Sequence, residues 1–392
     1  MASKRAIYLD HSASTPVDPH VLEAMMPYFT EVYGNPSSSH RFGRQAEQAI
    51  ESARDTVAAV LNCKRTEIIF TSGGSESDNL AVRGAGWMAK QQDKPSRLIT
   101  TPIEHSAVIN TVKQMRDIMG FDAEIVAVDH DGYVDVDDFR RACALGGSVA
   151  SVIYANNEIG TVQDLPTLST IAHDHGLLFH TDAVQAGGQL SLDVQALGVD
   201  MMSLSAHKLY GPKGVGALYV KDGVALEPAQ SGGSHERGRR AGTQNTAYIV
   251  GFAKALALAY AESEQRVQQF KLLRDMLIAG ILDRLPFVEL SGHEQNRLPS
   301  HASFVLEGID ANTLLMHLDM KGIAASSGSA CKVGNPEPSD VLLAVGYTTE
   351  QAKCGLRLSV GTQTTEADIR YTIDAVGETV TRLKKLSREF IS

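Results

Sequence analysis

From Glu67 onward, short apolar β-branched runs alternate with longer amphipathic stretches. Glu67-Ile-Ile-Phe-Thr precedes a helical pattern from Ser77 to Lys90, and Arg97-Leu-Ile-Thr-Thr precedes one from Ser106 to Met119. The rhythm continues through Ala123-Glu-Ile-Val-Ala-Val, Val149-Ala-Ser-Val-Ile-Tyr and Leu177-Leu-Phe-His-Thr-Asp. Strands that are apolar almost without interruption are strands covered on both faces, so the pattern predicts an α/β fold built on a mostly parallel sheet.

Past Gly242 the texture changes. A long helical pattern runs from Asn245 to Leu285, closed by Pro286, and short strand-like pieces follow at Ala302-Ser-Phe-Val-Leu and Leu356-Arg-Leu-Ser-Val. A final amphipathic helix is expected to start at the Thr365-x-x-Asp368 capping pattern and run toward Phe390. These pieces read as a second, smaller α+β domain. The N-terminal stretches Val21 to Phe29 and Arg44 to Leu61 also read as helical, and the pattern suggests that they pack with that second domain.

At 392 residues the chain has room for two or three domains of about 150 residues each. With 43% hydrophobic and 21% charged residues it is ordinary globular material, which excludes disorder, a coiled coil or a collagen repeat. Thirty-six Lys+Arg against 46 Asp+Glu leave a formal charge of -10, opposing any global attraction to nucleic acid or anionic lipid. The four cysteines, Cys63, Cys143, Cys331 and Cys354, are far apart, suggesting neither zinc site nor disulfide framework and fitting a reducing cytoplasmic setting. No export signal is expected in Met1 to Asp10. The most apolar later stretch, Ala247 to Ala261, is broken by Lys254 and is shorter than the ~20 residues that span a bilayer.

Ser203-Leu-Ser-Ala-His-Lys-Leu-Tyr-Gly surrounds Lys208 with small and apolar residues. A partly desolvated lysine has a lowered pKa and condenses with aldehydes, of which pyridoxal phosphate is the obvious candidate. That cofactor needs an acid at its pyridine nitrogen, and Asp182 stands at the end of a predicted buried strand, where open α/β sheets place their sites. Gln185, three positions on, can donate to a phenolate oxygen. For the phosphate, Thr71-Ser-Gly-Gly-Ser-Glu-Ser offers helix-start amides and hydroxyls around Gly74 and Ser75, and Ser205 and His207 add donors.

The glycine-rich, locally basic run Ser231 to Thr243 lacks aromatics and reads as an anion-binding loop rather than a nucleic-acid surface. His173, His175 and His180 read as surface or capping residues, not metal ligands. Cys331, at the end of Ala324-Ala-Ser-Ser-Gly-Ser-Ala-Cys, has the small-residue context and the neighbouring Lys332 that suit a reactive thiolate. Cys354 is its one rival.

Taken together, Tyr8-Leu-Asp-His-Ser-Ala-Ser-Thr, Gly34-Asn-Pro-Ser-Ser, Phe70-Thr-Ser-Gly-Gly-Ser-Glu-Ser, Glu104-His-Ser, Asn156-Asn-Glu-Ile-Gly and the Ser-Ala-His-Lys box resemble the cysteine desulfurases of iron-sulfur cluster assembly, from about Tyr8 to Arg370. The resemblance implies a fold-type I pyridoxal 5'-phosphate enzyme with a seven-stranded sheet. It also implies a homodimer that takes L-cysteine to L-alanine and passes sulfur, by way of an enzyme persulfide, to an iron-sulfur scaffold or another acceptor such as a tRNA-thiolating enzyme. The large domain would cover residues 16–260, and residues 1–15 with 261–392 would form the smaller one.

On matching positions, Lys208 would hold the cofactor, Asp182 its nitrogen, and Asn157 and Gln185 its ring oxygen. His105 would stack on the ring. Gly74, Ser75, Ser205 and His207 would bind the phosphate, with Thr243 reaching in from the partner subunit. Arg357 would clamp the substrate carboxylate beside Asn35, and Cys331 would take the sulfur from a loop of the extended type. Two departures stand out: Lys332-Val333 follow the cysteine where many relatives have Thr or Ser, and Ala206 replaces a frequent glycine. An aminotransferase or another lyase would need no cysteine nucleophile, and a catalytically silent scaffold would need no cofactor.

Overall fold

A computed structural model describes residues 6–327 and 337–391. Its twelve strands are β1 Ile7–Tyr8, β2 Ile68–Thr71, β3 Leu98–Thr100, β4 Ala123–Ile125, β5 Val149–Ser151, β6 Leu178–Asp182, β7 Met201–Ser205, β8 Gly216–Val220, β9 Glu289–Leu290, β10 His301–Val305, β11 Ile323–Ala324 and β12 Gly355–Ser359. Seven of them form one sheet in the order β2-β8-β7-β6-β5-β3-β4. Only β8 runs against the others, pairing antiparallel with β2 and β7.

The two faces of this sheet follow from the two-residue period of a strand. Ile68 and Phe70 of β2, Met202 and Leu204 of β7, and Ala217 and Tyr219 of β8 turn to one core, together with Phe139, Phe179 and Phe252. Ile69, Met201, Leu218 and Val220 turn to the opposite core, against Leu80, Val82, Val112 and Met115. Helices cover both faces, as the continuous apolar strands demand.

Helix ends carry the expected chemistry. The helix Ser106–Met119 begins with the His105 ring accepting from the Ala107 amide at 3.2 Å, and ends at Gly120, whose φ of 68° suits glycine. The long pattern after Gly242 is two helices, Thr246–Ala261 and Ser263–Arg284, with a break at Glu262. The last helix, Glu366–Ile391, starts just after Thr365, whose hydroxyl and amide both bond Asp368.

A separate core joins Ile7 and Leu9 to Phe270, Leu277, Phe304, Leu356, Leu358, Ile369 and Val376. It is built on the small sheet β12-β10-β9, and the parallel pairing of β1 with β11 brings Ile7 into it. The N-terminal helices behave differently from the sequence expectation. Val21, Met25, Ile50, Val57 and Leu61, from the helices Pro19–Met25 and Arg41–Leu61, bury against Phe252 and Leu256 in the large-sheet core, not in the second one. Their amphipathic pattern specified a buried face but carried no information about which core would cover it.

Candidate active site

Open α/β sheets place ligands outside the carboxyl ends of their strands, and a cavity of about 380 Å³ opens there. That volume lies within the range of about 300–1,000 Å³ usual for small-molecule sites. Asp182 closes β6, Ser205 closes β7, and the turns after β2, β3 and β5 bring Gly74 and Ser75, His105 and Asn157 to the same cavity. From the second core come Ser326, beyond β11, and Arg357, on β12.

Lys208 sits on a single 3-10 turn, Ala206–Lys208, directly after β7. Its Nζ donates to the main-chain oxygens of Ser12 and, at 2.9 Å, of Ala13. Burial, reinforced by the nearby Arg357 guanidinium, lowers the amine to about 8, against the opposing pull of Asp182 and Asp10. Condensation with an aldehyde needs the neutral amine. Uptake of added pyridoxal phosphate by cofactor-stripped protein is therefore expected to accelerate as pH rises and to level off above about 8. A flat pH profile in rapid-mixing absorbance measurements would contradict this.

Asp182 is buried, and its Oδ1 accepts from the Val184 amide at 2.9 Å. Burial raises its pKa, while His105, that amide and Lys208 pull it down. Gln185 is also buried and donates to the Ser12 oxygen at 3.0 Å. At the other end of the cavity the helix Gly74–Gln91 starts without a side-chain cap, because its N-cap is Gly73 at φ 153°. Its first amides are thus free of an internal acceptor. His207, driven down to about 4 by burial and by Lys208 and Lys213, is a neutral donor there.

Arg357 is 4% exposed and enters the cavity already oriented. One Nη donates to the Asn157 main-chain oxygen at 2.9 Å and the other to Asp10 Oδ1 at 2.8 Å, while its buried Nε has no partner among the described residues. Asp10 was not singled out as a site residue by sequence reasoning, although it lies inside the Tyr8-Leu-Asp-His motif. The signal was available: a buried arginine requires a carboxylate.

Other expected site residues lie elsewhere. Asn35 and Thr243 do not line this cavity, and the Asn35 side chain accepts from the Ser37 amide at 2.9 Å. Cys331 lies outside the described residues. His180 is corrected: it is neither a surface nor a capping residue but fully buried on β6, as a central strand covered on both faces requires. His173, which is partly exposed, bonds Asp200 at 2.7 Å.

The arginines of the Ser231–Thr243 run are engaged within the chain. Arg239 donates to the Thr66 oxygen at 2.8 Å, and Arg240 pairs with Glu76 at 2.8 Å. The run is anchored by the buried Glu236, which accepts from both Nη atoms of Arg54 at 2.7 and 3.0 Å and from the Phe70 amide at 3.1 Å. Glu236 and Arg237 both hold positive φ, 46° and 58°. Glu236→Ala would leave the buried Arg54 uncompensated and is expected to destabilise the fold by about 3–5 kcal/mol. A urea midpoint equal to that of the parent would contradict the expectation.

The described thiols are poor nucleophiles. Burial, with Glu67 nearby, pushes Cys63 up to about 12 and Cys143 up to about 11, and it raises Cys354 as well.

Comparison with known proteins agrees with this geometry. The family model for Aminotransferase class-V matches residues 7–371. A "Cysteine desulfurase IscS" from Dictyoglomus turgidum is 42% identical over 98% of this chain and 97% of its own length. One from Methanosarcina thermophila is 43% identical over 98% and 94%. Among solved structures, a "NIFS-LIKE PROTEIN" superposes with a TM-score of 0.89 at 34% identity, covering 96% of this chain and all of its own. "SspA in complex with cysteine" does so with 0.79 at 32%, covering 91% and 99%. Fold, cavity and relatives agree, and the chain belongs to the cysteine desulfurases of the class-V aminotransferase family.

Proposed function

We propose that this chain is a pyridoxal 5'-phosphate-dependent cysteine desulfurase, acting as a homodimer in the cytoplasm and supplying sulfur to iron-sulfur scaffold or other acceptor proteins. The observation that carries the reading is one cavity holding a lysine of depressed pKa, a fully buried carboxylate and a pre-oriented arginine. The donor set fits the cofactor: uncapped helix amides, Ser75, Ser205 and neutral His207 suit a phosphate, and Asp182 suits a protonated pyridine nitrogen. Residues 16–260 would form the cofactor-binding body. Residues 1–15 and 261–392 would form the smaller one, which brings Arg357 and Cys331.

Bound there, the cofactor supplies an electron sink for the pair left when the substrate's α-proton departs. Everything else falls to the chain. Asp182, as an anion, would hold a proton at the ring nitrogen, His105 would lie against the ring, and Gln185 and Asn157 would meet its oxygen. Arg357 has unused N–H groups for the carboxylate of L-cysteine, and Asp10 fixes its plane. Neutral Lys208 Nζ removes and returns the α-proton.

The Cys331 thiolate attacks the substrate sulfur. The sulfur–carbon bond breaks, its electron pair stays with the substrate carbon, and protonation there completes L-alanine. Cysteine plus one thiol thus gives alanine plus one persulfide, with no external oxidant. Five residues reach at most about 17 Å, and Ser326, five before Cys331, lines the cavity.

Asn35, and Thr243 of a partner subunit, would complete the site across the dimer. Alanine release from L-cysteine, with matching sulfur on the enzyme, tests the reading. Turnover that depends on a keto acid and leaves no persulfide would favour an aminotransferase. Arg357→Ala is expected to raise KM by about 10²-fold or more with a smaller loss of kcat, since it removes a charge-assisted clamp; an unchanged KM would remove it from substrate binding.

A further inference from the structure

Asp78 has no part in the steps above, yet it lies against the cavity floor. It projects from the helix Gly74–Gln91, is 1% exposed, and its Oδ1 has no hydrogen-bond partner among the described residues. A row of buried polar groups on three neighbouring parallel strands leads to it. Ser151 Oγ on β5 lies 2.8 Å from His180 Nδ1 on β6, and His180 Nε2 lies 3.0 Å from Ser203 Oγ on β7. The Ser203 hydroxyl faces the Asp78 carboxyl and favours its charged form. Burial drives His180 down to about 3, so its ring carries one proton, and the row has a consistent direction: Ser151 to Nδ1, Nε2 to Ser203, Ser203 to Asp78.

One oxygen of Asp78, one of Asp182 and one ring nitrogen of His105 lie within 4.8 Å of one another. Two carboxylates this close and this well shielded from water do not both ionise. Their surroundings decide which one keeps the proton. Asp182 faces His105 and Lys208 and accepts the Val184 amide. Asp78 faces neutral His180 at 3.8 Å, the Ser203 hydroxyl, and the carboxyls of Asp182 and Glu104. The groups that favour an anion, His105, Lys208 and the Val184 amide, stand on the Asp182 side. No cation among these neighbours lies on the Asp78 side.

We propose that Asp78 is a positioning residue: at the end of the Ser151–His180–Ser203 row it holds the one proton of the Asp78–Asp182 pair, and so keeps Asp182 the single anion of the cavity floor. The row ends against the Asp78 carboxyl, whose Oδ1, buried and without a hydrogen-bond partner among the described residues, carries the proton. This rests on the reading that Asp182 faces the cofactor nitrogen, but it concerns where a proton sits in the protein and can fail separately.

The test is infrared spectroscopy of the full-length holoenzyme with ¹³C-labelled aspartate carboxyls. The label leaves Glu104 silent, which matters because burial also pushes Glu104 up to about 8. At neutral pH the wild-type protein is expected to show an isotope-shifted carbonyl stretch of one protonated aspartate. That band should disappear in Asp78→Asn and persist in Asp182→Asn. Because an amide is neutral like the acid, Asp78→Asn should also hold pyridoxal phosphate within about threefold of the parent.

Absence of a protonated-aspartate band from the wild-type spectrum overturns the proposal without need of any variant. So does loss of the band in Asp182→Asn, or loss of the cofactor from a folded Asp78→Asn. Failure of the wild-type enzyme to release alanine from cysteine would instead overturn the functional reading, whatever the spectrum shows.

Discussion

Lys208→Ala is expected to release alanine at least about 10³-fold more slowly than the parent, because one substitution removes both the amine that condenses with the cofactor and the base that moves the α-proton. The visible absorbance of lysine-linked pyridoxal phosphate should vanish with it. Folding should survive, because Lys208 donates only to two main-chain oxygens, of residues 12 and 13. Absorbance spectroscopy with an alanine assay checks both effects. Retained turnover at more than a tenth of the parental rate would show that another base serves, and His207 would be examined first.

Cys331→Ala should separate the two halves of the reaction. The absorbance of bound cofactor stays and still shifts when cysteine is added, but alanine release falls by about 10³-fold or more, since the sulfur has no acceptor. The other thiols offer no substitute. Cys63 and Cys143 are held protonated by burial, and Cys354, also raised, donates to the Glu350 oxygen at 3.2 Å. Full turnover in this variant, with sulfur recovered on Cys354, would transfer the nucleophile's role there.

The sequence made the large sheet legible because parallel strands covered on both faces have to be apolar along most of their length, as in Ile68–Thr71 and Val149–Ser151. Asp182 followed, since it terminates such a strand. What stayed hidden depends on partners far along the chain. The helices Pro19–Met25 and Arg41–Leu61 advertise an apolar face, yet only the fold reveals that Phe252 and Leu256 receive it. The break at Glu262 carries neither Gly nor Pro, so two helices read as one.

Asp10 and Arg357 are 347 positions apart, a pairing that no local pattern encodes. Asp78 was hidden for a related reason. In sequence it is one more acid in a helical first turn, a position usually solvated, and its neighbours Asp182, His180 and Ser203 arrive from other strands. His180, however, was legible in principle, because a side chain two residues before Asp182 on a doubly covered strand has nowhere to go but inward.

The most direct measurement is a single turnover with sulfur-labelled cysteine, followed by peptide mass mapping and alanine quantification. One labelled sulfur on Cys331 for each alanine formed is the predicted result. Alanine formed with Cys331 left unmodified, or label found on a different cysteine, would contradict the account.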